Sequence, residues 1–463
     1  MTVEAVPTSW DDGADLVIIG SGFAGLAAAI EAVGAGRQAL VLEKERGCGG
    51  NSVISEGGIA AAGTRMQIAA GIADSPEAMY ADMVRAGLGL NHPHLTRTVA
   101  EGAADAVHWT ADTAGVVYLD RIDRMGGHSA RRCYVPVGKS GADILRPMLN
   151  TARRVGVTIR TRCMVTGLAM DGDRRVRGVV VQDGRDGAVR RIRADRGVVM
   201  AAGGFGADVD FRSAQDPRLS GDVGTTNRGS AVAGALRLAL SVGAMPVHLS
   251  WIQLGPWTSP DEKRYGVGAD FACYTVFPYG IVVDPATGNR IVNEMGDRKQ
   301  RADAILAVGR PPVGIADQRG LEAANWEIDR ALKRGVVKRF DDLESLASAY
   351  GVDRSGLMAT VERFNAAVAA GDDSDFGKPF PPEAGPLASP PFYAMRLWPK
   401  VHYTMGGVGI DVRARVLDLW GRPIPGLFAA GEITGGVHGA CRLGSCAITD
   451  CIVFGRIAGR AGE

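Results

Sequence analysis

The stretch 15-DLVIIGSGFAGLAAAIEAVGAGRQALVLEKE-45 decides how the rest of the chain is read. DLVIIG is a short apolar run ending on glycine, which predicts a buried strand. GLAAAIEAVGAG carries small apolar residues at helical spacing, and QALVLE is a second apolar run closing on an acid. Strand, tight turn, helix, turn and strand form the opening unit of a dinucleotide-binding domain. The glycines fall as Gly20-x-Gly22-x-x-Gly25, and Glu43 follows eighteen residues after Gly25. Gly20 permits the tight turn, Gly22 lets the backbone approach a pyrophosphate, and Gly25 lets helix and sheet pack closely. The helix N-terminus then faces phosphate charge, and Glu43 can accept hydrogen bonds from a ribose. A lone glycine pattern is weak. Here it follows a strand, opens a helix and has its acid at the end of the next strand.

Two later segments share the strand-to-glycine form. They are 197-GVVMAAGGFG-206 and 423-PIPGLFAAGEITGGVHG-439, the second ending its strand in Ala-Gly-Glu. Three such turns far apart in sequence imply one domain that is interrupted and resumed. The predicted class is α/β: a Rossmann-like domain built from 1–248 and 403–463, with an inserted α+β capping domain at 249–402. The insert carries prolines, aromatics and a polar helix-like stretch at 315–370, and lacks phosphate-loop signatures. Residues 229-GSAVAGALRLALSVGAMPV-247 predict a buried helix. Arg237 and the many small residues argue against a membrane span. The acidic 372-DDSD-375 reads as a loop.

Composition narrows the classes. At 463 residues the chain exceeds what one hydrophobic core usually supports. It is 46% hydrophobic and 22% charged with a net charge of +1, so neither a basic nucleic-acid surface nor an acidic tail is expected. The 64 glycines are about twice the usual share and show no period, which fits tight turns and close backbone approaches to a ligand. The first residues, MTVEAVPTSWDDGADLVIIG, lack a basic segment followed by an apolar one, so no secretory signal is expected. Seven cysteines without framework spacing point to thiols in a reducing cytoplasm.

Together these motifs resemble the flavoprotein family of fumarate reductases and succinate dehydrogenases, particularly its soluble single-chain reductases. The resemblance rests on GSGFAGLAAAIEA, 49-GGNSVISEGGIAAAGT-64, VVMAAGGFG, 293-NEMGDRKQRADAIL-306, 404-TMGGVGID-411 and 426-GLFAAGEITGGVHGACRLGSCAITDCIVFGR-456, in that order. It implies FAD rather than NAD, a capping domain over the flavin, and chemistry at a carbon–carbon bond next to a carbonyl or carboxylate. The implied flavin contacts are Gly20, Gly22, Ala24, Gly25, Glu43 and Lys44 in the first unit, and Gly50, Asn51, Ser52, Gly57 and Gly58 in the second loop. Ala202, Gly203, Gly431, Glu432, Arg442, Ser445, Ala447 and Ile448 complete the set. Membrane-bound relatives carry flavin covalently on a histidine of the second loop. Asn51 takes that position here, so dissociable FAD is expected.

Reduction of an activated alkene needs a hydride at the β-carbon, a proton at the α-carbon and donors that polarise the carboxylate. The resemblance implies Arg298 as proton donor, with Arg301 a nearby competitor, and Arg442 as the clamp on the substrate carboxylate. A planar guanidinium suits that clamp better than an ammonium. The chain also departs from the family pattern. Where relatives carry His-Pro-Thr it has 252-IQLGPWTSP-260, putting Gly255 at the histidine position. Where they carry His-His before Thr-Met-Gly-Gly it has His402-Tyr403. Ala272 and Cys273 align with the Thr-Glu pair whose glutamate relays protons, and Cys273 is a poor relay.

Bulk gathers around these positions, in Trp251, Trp257, Phe271, Tyr274, Phe277, Tyr279 and Tyr403. A substrate with one carboxylate or carbonyl and a larger apolar or aromatic part is expected, rather than fumarate. The substrate residues are then Trp251, Gly255, Trp257, Cys273, Tyr274, Tyr403 and Arg442, and the catalytic set is Arg298, Arg442, Tyr403 and His402. Tyr403 could donate a hydrogen bond or transfer a proton. His402 fits a structural role as well as a catalytic one. A tyrosine base resembles the ketosteroid dehydrogenases, which makes a desaturase the alternative. A flavoprotein subunit of a multicomponent redox complex is the other.

The stretch 438-HGACRLGSCAITDC-451 looks like a metal box but lacks suitable ligand spacing. A helix starting after Gly444-Ser445 would carry Cys446 and Cys451 on different sides, so no metal is expected. His438 is expected to meet the flavin through its backbone, and His92 and His94 to be surface or core residues. There is no CxxCH haem motif or ferredoxin pattern, so a separate electron donor or acceptor is expected beside the small-molecule substrate.

Overall fold

The computed structural model describes residues 2–460. They fold as two compact units. One comprises the chain up to Ser220, Arg228–Ile252 and the chain from Tyr403 on; the other comprises Gly221–Asn227 and Gln253–His402. The boundary thus falls four residues later than the sequence suggested, and the short segment 221–227 belongs with the inserted unit. Its backbone joins residues there: Thr226 N donates to the Val401 carbonyl, and Val401 N to that of Gly224.

The first unit is built on a nine-stranded sheet. Its strands are β1 (Thr2–Ala5), β2 (Asp12–Ile19), β3 (Ala39–Glu43), β4 (Thr158–Thr161), β5 (Cys163–Met170), β6 (Val176–Asp183), β7 (Val189–Met200) and β8 (Pro423–Ala429), with Arg415–Leu417 pairing β8. The order is β1-β5-β6-β7-β2-β3-β4, with β8 added alongside β7. β2 runs parallel to both β3 and β7, and β8 runs parallel to β7. The three segments read as strand-to-glycine turns are therefore adjacent parallel strands, and their glycine ends share one edge of the sheet. β5, β6 and β7 form an antiparallel meander.

Helix α1 (Phe23–Gly34) follows β2, and α2 (Cys446–Arg460) packs on it. The contact needs residues without side chains. A Cβ on Gly455 would lie 2.5 Å from the Ala24 carbonyl oxygen, and one on Gly459 2.2 Å from that of Ala28. The alanine face of α1 and the glycines of α2 thus let two backbones touch, which joins the ends of the chain into one core. The segment read as one helix over 229–247 is helical at Gly234–Ser241 alone. Gly243, at φ +91°, follows and turns the chain away.

The second unit is α+β. Its antiparallel sheet runs in the order Ile281–Val283, Val313–Asp317, Phe392–Arg396, Lys338–Phe340. Helices Arg298–Val308, Gln318–Ala324, Leu343–Tyr350 and Arg354–Ala370 cover it. The polar stretch 315–370 is thus strands and helices together. Asp373, from the acidic loop, turns inward: it and Glu294 pair with Arg290, all three at most 3% exposed in their side chains. Lys378 joins them, 3.4 Å from Glu294, and burial pulls its amine down to about 8. No described helix is long and apolar enough to cross a membrane.

Candidate functional site

The glycine loop at the end of β2 has the shape its sequence requires. Gly20 has φ +104°, and a Cβ there would lie 2.4 Å from the Ala201 carbonyl oxygen; one on Gly25 would lie 2.0 Å from that of Gly20. Gly22 caps α1 with extended backbone and no side-chain cap. Glu43, 6% exposed, ends β3. One of its oxygens accepts from Ser21 N at 3.2 Å and from the Ser21 hydroxyl, and the other from Glu45 N at 2.9 Å. These bonds fix the carboxylate at the strand end. Lys44 turns outward, and its amine donates to the Ser230 carbonyl.

The second loop closes on this cradle. Gly50–Ile54 makes one tight helical turn, in which the Ser52 hydroxyl accepts from Phe23 N at 3.2 Å and the side-chain oxygen Oδ1 of Asn51 accepts from Arg228 N at 2.9 Å. Ala24 lies in the first turn of α1, beside Gly431. Gly57 approaches the Ser140 backbone, and Gly58 approaches Ser445 so closely that a Cβ would sit 2.7 Å from its hydroxyl. Ala202 and Gly203 follow β7, and Gly431 and Glu432 follow β8. Glu432 accepts from Thr404 N at 3.0 Å, and burial pushes its carboxyl up to about 7. Ser445, at φ +62°, immediately precedes α2, whose first turn holds Ala447 and Ile448. Backbone amides, small residues and two helix N-termini therefore line one region, a donor set that fits an anionic dinucleotide.

Beside it the first unit gathers four polar side chains. The Arg442 guanidinium, 4% exposed, lies with its carbon 4.7 Å from the centre of the Tyr403 ring, and Nη1 donates to the Leu443 carbonyl at 3.1 Å. Tyr403 meets His438 edge-on, the ring centroids 5.8 Å apart. His438 Nε2 lies 3.2 Å from Asp450 Oδ2. Burial raises the Tyr403 hydroxyl well above its ordinary value near 10; Asp450, Glu432 and Cys451 add to this and Arg442 opposes it. A phenol held protonated is a hydrogen-bond donor rather than a base at neutral pH. His438 is thus joined to its protein neighbours by its ring.

The inserted unit holds a second group. Arg298 opens its helix after Asp297, whose carboxylate caps that helix by accepting from Gln300 N. The Arg298 guanidinium carbon sits 4.4 Å from the centre of the Trp257 ring, and Nη1 donates to Gln253 Oε1 at 3.2 Å. Trp257 meets His402 edge-on at 4.9 Å, and His402 Nδ1 lies 2.9 Å from the Thr226 hydroxyl. Gly255 leaves room for the indole, with a Cβ position 3.3 Å from it. Arg301, the competitor, is 6% exposed and lies over Phe277.

The aromatic set divides. Phe271 and Phe277 belong to the core of the inserted unit, and Tyr274 stacks flat on Trp326 at 3.8 Å, beside half-buried Cys273. Trp251 falls in the first unit, where its carbonyl accepts from Met405 N. Gln253, Thr226 and Asp450 had not been singled out. Gln253 and Thr226 carry no motif, and Asp450 lies twelve residues from the histidine it meets. His128 was also missed; its Nε2 contacts the Gly444 carbonyl at 2.8 Å, next to the turn that starts α2. Among the described residues, no group of three or more His, Cys, Asp or Glu could hold a metal ion.

A family model for the FAD binding domain matches residues 15–448. The chain is 42% identical to the acrylate reductase flavoprotein subunit of Shewanella woodyi over 97% of this chain and 91% of that one. It is 35% identical to a fumarate reductase (cytochrome) of Shewanella frigidimarina, over 98% of this chain and 78% of that one. Among solved structures it resembles a 3-ketosteroid-delta4-(5alpha)-dehydrogenase from Rhodococcus jostii, with a TM-score of 0.79 and 27% identity, over 100% of this chain and 99% of that one. The chain therefore belongs to the fumarate reductase-like family of FAD-binding flavoproteins, and it is an FAD-dependent oxidoreductase acting on CH–CH groups.

Proposed function

We propose that the chain reduces the double bond of a 2-enoate that has one carboxylate and an apolar remainder, rather than fumarate. The observation that carries this is the buried Arg442 guanidinium backed by the neutral ring of Tyr403. Arg442 grips one carboxylate with a planar fork, and Tyr403, protonated at neutral pH, has a donor to offer and no charge to meet a second. The relative named as an acrylate reductase supports the same reading.

When bound, FAD supplies the hydride for the β-carbon. Its holders are the residues of the cradle: the amides around Gly20–Gly25, Glu43, the loop Gly50–Gly58, and the start of α2. Arg298 delivers the proton to the α-carbon, and the indole of Trp257 and the amide of Gln253 hold it in orientation. His402, tied to Thr226, supports Trp257. Asn51 replaces the histidine of covalent relatives, so the FAD is dissociable, and electrons arrive from a separate donor.

The test is anaerobic. Protein whose flavin has been reduced is mixed with acrylate, crotonate, cinnamate, an enone or fumarate, and flavin absorbance is followed. Reoxidation by the monocarboxylates supports the reading. Bleaching of oxidised flavin by the saturated acids, with no reoxidation by any enoate, overturns it in favour of a desaturase.

A further inference from the structure

We propose that Asp450 is a positioning residue that decides which nitrogen of His438 carries the proton and, through that ring, sets the Tyr403–Arg442 stack. The proposal rests on the enoate reading above, in which Arg442 holds the substrate carboxylate. Asp450 lies in the second turn of α2 and His438 in the loop before it, so the pair ties the loop bearing Arg442 to the helix. They are 1% and 4% exposed.

A carboxylate offers acceptors alone. Its approach to Nε2 therefore places the ring proton there and leaves Nδ1 as an acceptor. Burial lowers the histidine's affinity for a second proton, so the ring is neutral and its tautomer is meaningful; the Asp450 hydrogen bond opposes that and Arg442 reinforces it. From His438 the contacts run in one column: edge-on to Tyr403 at 5.8 Å, then from the face of Tyr403 to the Arg442 guanidinium at 4.7 Å.

The other oxygen of the carboxylate argues against a purely structural pair. Asp450 Oδ1 is buried and has no hydrogen-bond partner. A buried carboxylate satisfied at one oxygen costs stability. An apolar residue at that helix position would avoid the cost, so the carboxylate serves the ring it touches.

The experiment uses flavin-loaded protein with 15N-labelled histidine, read by long-range 1H–15N correlation at pH 7. His438→Gln identifies the His438 resonance by its loss. The wild-type ring is expected to be neutral with its proton on Nε2. In Asp450→Asn the amide nitrogen becomes a donor facing Nε2, and the ring proton moves to Nδ1. The KM for the enoate then rises by up to about 10-fold, the net worth of one hydrogen bond, while kcat changes less and the flavin spectrum is kept. A wild-type ring protonated on Nδ1 overturns the proposal, as does an Asp450→Asn protein with unchanged tautomer and KM. The wild-type spectrum decides alone if Asp450→Asn does not fold. Because tautomers are read without turnover, a failure of the enoate reading leaves this result standing.

Discussion

Replacing Arg132 should expose how much the first unit depends on one buried cation. Arg132 is fully buried, as is the Asp74 it grips; Asp82 is 2% exposed in its side chain. Nε and Nη2 form a fork on Asp74 at 2.8 and 2.7 Å, Nη1 reaches Asp82 at 2.6 Å, and Nη2 reaches the Ser129 hydroxyl at 3.2 Å. Arg132→Met keeps much of the volume, leaves the buried Asp74 without its cation and leaves Asp82 with the exposed Arg85 alone. Breaking a buried pair from one side costs about 3–5 kcal/mol, a large part of the roughly 5–15 kcal/mol by which domains are stable.

The pH dependence of that loss has a sign. Burial alone would raise the Asp82 carboxyl, but donors from Ser129 and Arg132 outweigh it and hold the group below its ordinary 3.8. A depressed carboxylate stabilises the fold above its unfolded value, and that contribution is lost as pH falls through the folded one. Without Arg132 that contribution from Asp82 is largely gone, so the stability gap between the wild type and Arg132→Met should shrink as the pH falls. Urea unfolding of both proteins at pH 7 and in acid, followed by circular dichroism, measures the two effects. A loss under about 1 kcal/mol at pH 7, or a loss that does not shrink in acid, would refute the reasoning.

Two further outcomes concern the cofactor and the proton. Arg298→Ala should lower kcat by about 10²- to 10⁴-fold, the usual contribution of a positioned general acid, with the flavin spectrum intact; a variant of near-normal rate removes Arg298 from the mechanism. Acid precipitation should release yellow flavin into the supernatant, and colour kept on the pellet would contradict the role given to Asn51.

Much of the first unit was legible because its signals are local. Gly20, Gly22 and Gly25 are dictated by a turn, an N-cap and a close contact within a few residues of each other, and Glu43 ends the next strand. What escaped is long-range. Residues 221–227 join the inserted unit through bonds of Gly224 and Thr226 to Val401 that no periodicity records. Asp373 sits in a run of acids that resembles a solvated loop, yet it is paired with Arg290, which lies 83 residues before it. Phe271, Tyr274 and Phe277 read as one bulky cluster by position in sequence; packing puts the rings of Phe271 and Phe277 in the core of the inserted unit and stacks Tyr274 on Trp326. In 438-HGACRLGSCAITDC-451 the cysteines drew the eye, whereas the side chains in mutual contact are His438 and Asp450, and Arg442 with Tyr403.

The central claim is that one guanidinium clamp selects a monocarboxylate. Stopped-flow reoxidation of the reduced flavin by acrylate and by fumarate, under identical anaerobic conditions, tests it most directly. The account predicts that acrylate reacts at least about 100-fold faster, since a second carboxylate would be desolvated without a partner at a cost near 3 kcal/mol. Equal rates, or a preference for fumarate, would contradict it.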